Sequence, residues 1–193
     1  MVETIRTFIA IELGDELKGL LMQVGQEIQS RIAPRTVRWV KPHAMHLTLV
    51  FLGDTPVTQL DTIQRAMTAA AAEVPPITFR AVGLGCFPNP RRPRVVWVGV
   101  DEPAGHLKQL KAALDRELEP LGYKAERRRF SPHLTLGRVH KRAGRGEAQG
   151  LGQVVESATL KELCRVTARQ LCLIRSELRP AGAIYTTLAS VPL

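Results

Sequence analysis

The tetrapeptide HLTL occurs twice in the chain, at residues 46–49 within KPHAMHLTLVFLG and at 133–136 within RRRFSPHLTLGRV. The chain has only 5 histidines, so repeating a histidine and a threonine together is a chemical signal, not only a hydrophobic one. A strand turns successive side chains to opposite faces. His46 and Thr48 then share one face, and so do His133 and Thr135. Leu47, Leu49 and Phe51, and likewise Leu134 and Leu136, point the other way into a core. Two such polar faces meeting across a cleft oppose two imidazoles, each with a hydroxyl one pleat away. Imidazole titrates at about 6.5 when unperturbed. One ring can therefore take a proton from a nucleophile while the other gives a proton to a leaving group. The threonine hydroxyls suit hydrogen bonds to non-bridging phosphate oxygens. In-line displacement at phosphorus is the reaction that fits, and it needs no metal or other cofactor.

Competing readings are weaker. A single H-x-T on a strand is ordinarily a core histidine beside a threonine, but two copies in matching contexts on a basic protein are not. His43 and His46 form H-x-x-H, with His133 as a conceivable third ligand. Yet no Asp, Glu or Cys stands at ligand spacing around either HLTL, and zinc wants three or four placed ligands. His43, His106 and His140 read as turn, helix-start and loop residues. Cys86, Cys164 and Cys172 are odd in number and lack metal spacing, as expected of free thiols in a reducing compartment.

Lys and Arg total 27 against 18 Asp and Glu, a formal charge of +9. Such an excess favours a polyanionic partner, most simply a nucleic acid, through counterion release. The basic residues cluster at RRPR (91–94), RRR (127–129) and HKRAGR (140–145). With aromatics at 5%, a long stacking platform for single strands is not expected. No apolar run approaches the roughly 20 residues that cross a bilayer, and the amino terminus alternates like a strand instead of resembling a leader. A monomeric, cytoplasmic protein with no membrane partner is expected.

These chemical groups need elements to position them. TFIAIEL (7–13) alternates as a strand, and apolar spacing predicts an amphipathic helix over 15–32. VRWV and HLTLVFL follow as strands. A second helix is predicted from Thr55-Pro56 to Pro75-Pro76. ITFRAVGLGCF and RVVWVGV are strands around the loop PNPRRP, and a third helix covers about 103–120. After the second HLTL strand, 140–153 is glycine-rich and basic and reads as a mobile surface loop, with a short helix near 155–163. VTARQLCLIRSEL and AIYTTLASV read as a hairpin across the RPAG turn. Strand–helix–strand with HLTL thus appears over about 5–53 and again over about 94–139. The expected fold is α+β, a diverged duplication in one domain over 1–193. Two antiparallel sheets line a cleft, with helices on the outside. The half-polar strands argue against a doubly wound sheet buried on both faces.

On RTFIAIEL, RWVKPHAMHLTLVFLGD, CFPNPRRPRVVWVGV, RFSPHLTLGRV and LIRSELRPAGAIYTTLASVPL, the chain resembles the two-histidine (2H) phosphoesterase superfamily. Within it the chain is similar to the RNA 2′,3′-cyclic phosphodiesterases, first described as 2′-5′ RNA ligases. The resemblance implies a bilobal fold with pseudo-two-fold symmetry and a basic cleft. It also implies an RNA or nucleotide substrate whose 2′,3′-cyclic phosphate end is opened to a 2′-phosphate. By the same resemblance His46 is the proton donor to the departing 3′-oxygen, His133 the base that activates water, and Thr48 and Thr135 the phosphate holders. Arg138, Arg128 and Phe130 are implied as further substrate contacts. The choice among the arginines 127–129 stays open, because simple alternation from His133 puts 127 and 129 on the cleft face. Two positions depart from the family pattern: Val50 where a basic residue is common, and Arg129 where proline is common. Two alternatives remain: 2′-5′ ligation of RNA or tRNA halves, which runs the same chemistry backwards, and a non-catalytic RNA-binding module. The second leaves a histidine beside each threonine without a purpose.

Overall fold

The computed structural model describes residues 2–179 and 182–193. In chain order the elements are β1 (Thr4–Glu12), α1 (Asp15–Gln29), β2 (Val37–Trp39), β3 (His46–Pro56), α2 (Leu60–Ala71), β4 (Ile77–Phe87), β5 (Val95–Asp101), α3 (His106–Leu118), β6 (His133–Val139), α4 (Arg145–Ser157), β7 (Cys164–Ala168), β8 (Gln170–Arg179) and β9 (Gly182–Pro192). They build two sheets, in the orders β3-β1-β8-β9 and β2-β6-β5-β4-β7. Every pairing is antiparallel. The fold is α+β, with one HLTL strand in each sheet. No helix among the described residues is long and apolar enough to cross a membrane.

The strand–helix–strand units are interlaced. α1 follows β1 of the four-stranded sheet but packs on β6 of the other sheet. There the backbone of Gly25 approaches the Trp39 ring so closely that an added Cβ would sit 3.3 Å from it. α3 follows β5 of the five-stranded sheet but packs on β3 and α2, and α2 packs on β8 and β9. One apolar cluster runs behind both sheets, from Ile9, Ile11 and Leu47 to Val96, Val98 and Leu134. Leu47 and Leu134 are fully buried. Burying one such side chain contributes about 1.5–3 kcal/mol, and a one-residue slip would turn every leucine outward. The leucines therefore hold the histidines and threonines on the opposite faces. A second, smaller cluster of Phe8, Ala10, Cys172 and Ile174, joined by Tyr185, lies apart from the main core.

The expected mobile loop at 140–153 is instead mostly helix, because α4 begins at Arg145 and ends at Ser157. The Glu147 carboxylate accepts from the Gly144 N–H at 2.6 Å, which caps the first turn. Leu151, Gly152 and Val155 form its buried stripe. The short helix expected over 155–163 is absent, since 158–163 carries no helix. β3 runs on through Pro56, so the second helix starts at Leu60. The stretch read as one strand, VTARQLCLIRSEL, divides at Arg169, its first part pairing with β4 and its second with β1. The hairpin forms as expected, with Arg179 opposite Gly182. Pro180 and Ala181 of the RPAG turn lie outside the described residues.

Candidate active site

β3 and β6 approach one another between the two sheets. His46, Thr48, His133 and Thr135 are each half-buried, with fully buried leucines between them. The two histidines are built alike. His46 packs against Phe8 at 4.7 Å and meets Tyr185 edge-on at 5.1 Å and 82°. His133 meets Phe87 edge-on at 4.8 Å and 87°, with Trp97 at 6.3 Å. Behind each ring lies the carbonyl two residues upstream. His133 Nδ1 lies 2.8 Å from the Ser131 oxygen. Donating there places the proton on Nδ1 and leaves Nε2 as a free acceptor. The Ala44 carbonyl stabilises the proton of His46 in the same way.

Burial is the largest influence on both rings. It pushes His46 down to about 4 and holds His133 below the ordinary imidazole value, each against the opposing pull of its carbonyl. The Arg138 guanidinium adds to the lowering of both. β3 and β6 are in contact, and the same cation acts on both imidazoles.

Arg138 reaches the polar face through a β-bulge. Strict alternation from His133 puts residue 138 with the leucines. In β6, however, Thr135 pairs with Trp97 and Gly137 with Val96, leaving Leu136 as an extra residue. Leu136 stays buried, the phase advances by one, and Arg138 emerges exposed opposite Val95. β3 has a bulge at the same letter of its motif. Thr48 pairs with Ala10 and Val50 with Ile9, so Leu49 is extra. The consequence there corrects the expected alternation. Phe51 does not point into the core with Leu47 and Leu49; it lies opposite Phe8 and is 60% exposed. Its ring is 6.1 Å from that of Phe8. Phe51 and Arg138 thus occupy equivalent places, each five residues after its histidine, on the polar face.

The other two expected contacts, Arg128 and Phe130, lie in the segment that leads into His133. Arg128 is exposed in a segment without regular structure, and β6 begins only at His133, so alternation cannot choose among 127–129. Phe130 is half-buried against the main core. It lines a small cavity of about 390 Å³ with Arg129, Ser131, Glu102 and Lys108. Sequence reasoning missed the aromatic walls Phe8, Tyr185, Phe87 and Trp97. All four lie in the stretches RTFIAIEL, AIYTT, CFPNP and RVVWV that carried the family resemblance. An aromatic on a strand gave no sign of which face it takes. Gly85 and Gly99 make room for this wall. A Cβ on Gly85 would lie 2.2 Å from the Trp97 ring, and one on Gly99, which pairs with His133, 2.7 Å from the Val82 carbonyl oxygen.

Two antiparallel sheets that each carry an H-x-T on one strand have the architecture of a two-histidine phosphoesterase. The model of the 2′-5′ RNA ligase superfamily matches residues 23–179, and the chain belongs to that family. It is 33% identical over 184 residues to the RNA 2′,3′-cyclic phosphodiesterase of Methanothermobacter thermautotrophicus, covering 95% of this chain and 96% of that one. It is 31% identical to the enzyme of the same name from Thermotoga maritima, covering 95% and 92%. Among solved structures, a Thermus thermophilus protein superimposes with a TM-score of 0.80 at 27% identity over 97% of both chains. LigT of Escherichia coli shares the fold, with a TM-score of 0.76 at 24% identity over 99% and 98%.

Proposed function

We propose that the protein is an RNA 2′,3′-cyclic phosphodiesterase that opens the cyclic phosphate of an RNA or nucleotide end to a 2′-phosphate. The observation that carries this reading is the pair of half-buried imidazoles, each backed by a carbonyl, both under the influence of Arg138. Relatives of that name at 31–33% identity support it. In the reaction, Nε2 of His133 takes a proton from water as the water oxygen bonds to phosphorus. The bond from phosphorus to the 3′-oxygen breaks, and His46 supplies the proton that oxygen needs. Thr48 and Thr135 hold the non-bridging oxygens, and Arg138 balances their charge. Phe51 offers its exposed ring to the terminal base.

His46 at about 4 is neutral at pH 7 in the free protein, whereas a proton donor must be charged. The substrate supplies the difference. A phosphate charge about 4 Å from the ring contributes about 4 kcal/mol at an effective dielectric of about 20. That is about three pKa units, enough to return the ring to the neutral range. Substrate binding thus prepares the acid.

Phosphorus NMR of adenosine 2′,3′-cyclic phosphate, incubated with protein in excess EDTA, tests the proposal. The expected product is the 2′-monophosphate, with loss of at least about a hundredfold in rate for His46→Ala or His133→Ala. Full activity in either variant refutes the mechanism. The family's ligase description favours a second reading, in which a 5′-hydroxyl replaces water. Water at about 55 M competes unless RNA positioning outweighs it. Comparing ligated with hydrolysed product from one labelled RNA half distinguishes the two.

A further inference from the structure

We propose that the groove between the 88–94 loop and α4 is a second nucleic-acid subsite. It would hold backbone phosphates of the RNA strand whose cyclic phosphate end lies at His46 and His133. The proposal rests on the reading of that site as one for cyclic phosphate ends. The groove has a volume of about 1120 Å³. Arg91, Arg92 and Arg94 stand on one wall, and Lys141 and Arg145 on the other. Glu156 is the only carboxylate among its lining residues. Among the described residues none of the five cations forms an ion pair. Five unpaired cations facing one space repel each other unless an anion joins them.

The walls are fixed to each other. The Pro90 carbonyl lies against the α4 backbone so closely that a Cβ on Gly152 would be 1.9 Å from its oxygen. The Arg92 N–H donates to the Asn89 side chain at 3.1 Å, and the Arg94 N–H to the Phe87 carbonyl at 2.7 Å. The groove is therefore preformed and does not depend on an ordering event.

Its position selects RNA over other polyanions. Val139 and His140 on its floor follow Arg138 directly, and Arg94 immediately precedes Val95, the partner of Arg138. The Val139 N–H donates to the Arg94 carbonyl at 2.9 Å, so the groove begins where the cleft face of β5 and β6 ends. Val139 lies six residue steps beyond His133 along β6, roughly 20 Å at about 3.3 Å per step. A mononucleotide at His133 does not span that distance, but the 5′-ward phosphates of a longer strand do.

The test uses the full chain with Arg91→Gln, Arg92→Gln and Lys141→Gln combined, all three being exposed positions. Each single-strand phosphate contact contributes about −0.7 to the slope of log affinity against log salt. The variant should lose about 2 from that slope for an RNA of about ten nucleotides ending in a 2′,3′-cyclic phosphate, measured by fluorescence anisotropy. Between about 50 and 200 mM salt, the unaltered protein should then lose about 16-fold more affinity than the variant. Turnover of adenosine 2′,3′-cyclic phosphate should be unchanged, while KM for the oligomer rises. An unchanged salt slope, equal damage to mononucleotide turnover, or poly-glutamate binding as tight as the RNA would each overturn the proposal. If the unaltered protein opens neither substrate, the proposed activity fails, and the anisotropy still decides the groove.

Discussion

Acid should destabilise the free protein through the half-buried imidazole of His46, with His133 acting in the same direction. Burial against Phe8 and Tyr185 holds His46 at about 4, while in an unfolded chain it titrates at about 6.5. Between those values the unfolded state binds the proton and the folded state does not, so stability falls as pH drops through the window. Lowering pH from 7 to 5 then costs about 2 kcal/mol from this residue alone. Urea unfolding of the protein and of His46→Gln at both pH values measures it. Gln cannot protonate, so the variant should lose about 2 kcal/mol less over the same interval. Inorganic phosphate at pH 5 should recover more of the loss in the protein with His46 than in the variant, because there the anion also binds the imidazolium. Equal losses in the two proteins, or a free-state His46 titrating near 6.5 by NMR, would refute both the burial account and the substrate-prepared acid built on it.

Because both imidazoles are lowered, the pH profile of kcat/KM, which reports the free enzyme, should peak below pH 6.5. The profile of kcat should peak at higher pH, since the bound phosphate raises both groups. Arg138→Met removes the cation that depresses both rings, so NMR titration should show both pKa values rising while KM increases. Phe51→Ala should raise KM for a cyclic nucleotide by about 1–3 kcal/mol of lost stacking, with kcat nearly unchanged. A fall in kcat with KM unchanged would exclude base contact by that ring. Gly85→Val drives a side chain into Trp97 and should destabilise the protein by about 1–3 kcal/mol, visible as a lower thermal midpoint.

Much of the site was legible in the residues. Leu47 and Leu134 alternate with His46, Thr48, His133 and Thr135, and a period of two admits one arrangement once the leucines are buried. The segments 7–13, 46–52, 95–100 and 106–118 carried strand or helix periodicity strong enough to be recognised locally. Residues 145–157 were not recognised, because glycines at 144, 146, 150 and 152 read as loop. At Gly152 the glycine is instead demanded by contact with Pro90, 62 residues earlier.

The amino-acid sequence by itself determined the two histidines, their threonines and the face each occupies, because those properties follow from local alternation. Tertiary structure alone decided the rest. The bulges at Leu49 and Leu136 arise from pairing with β1 and β5, and they turn Phe51 and Arg138 outward against the local pattern. The aromatic walls depressing the imidazoles come from four different strands. A pKa is set by whatever surrounds the group in space, and a linear pattern does not contain that.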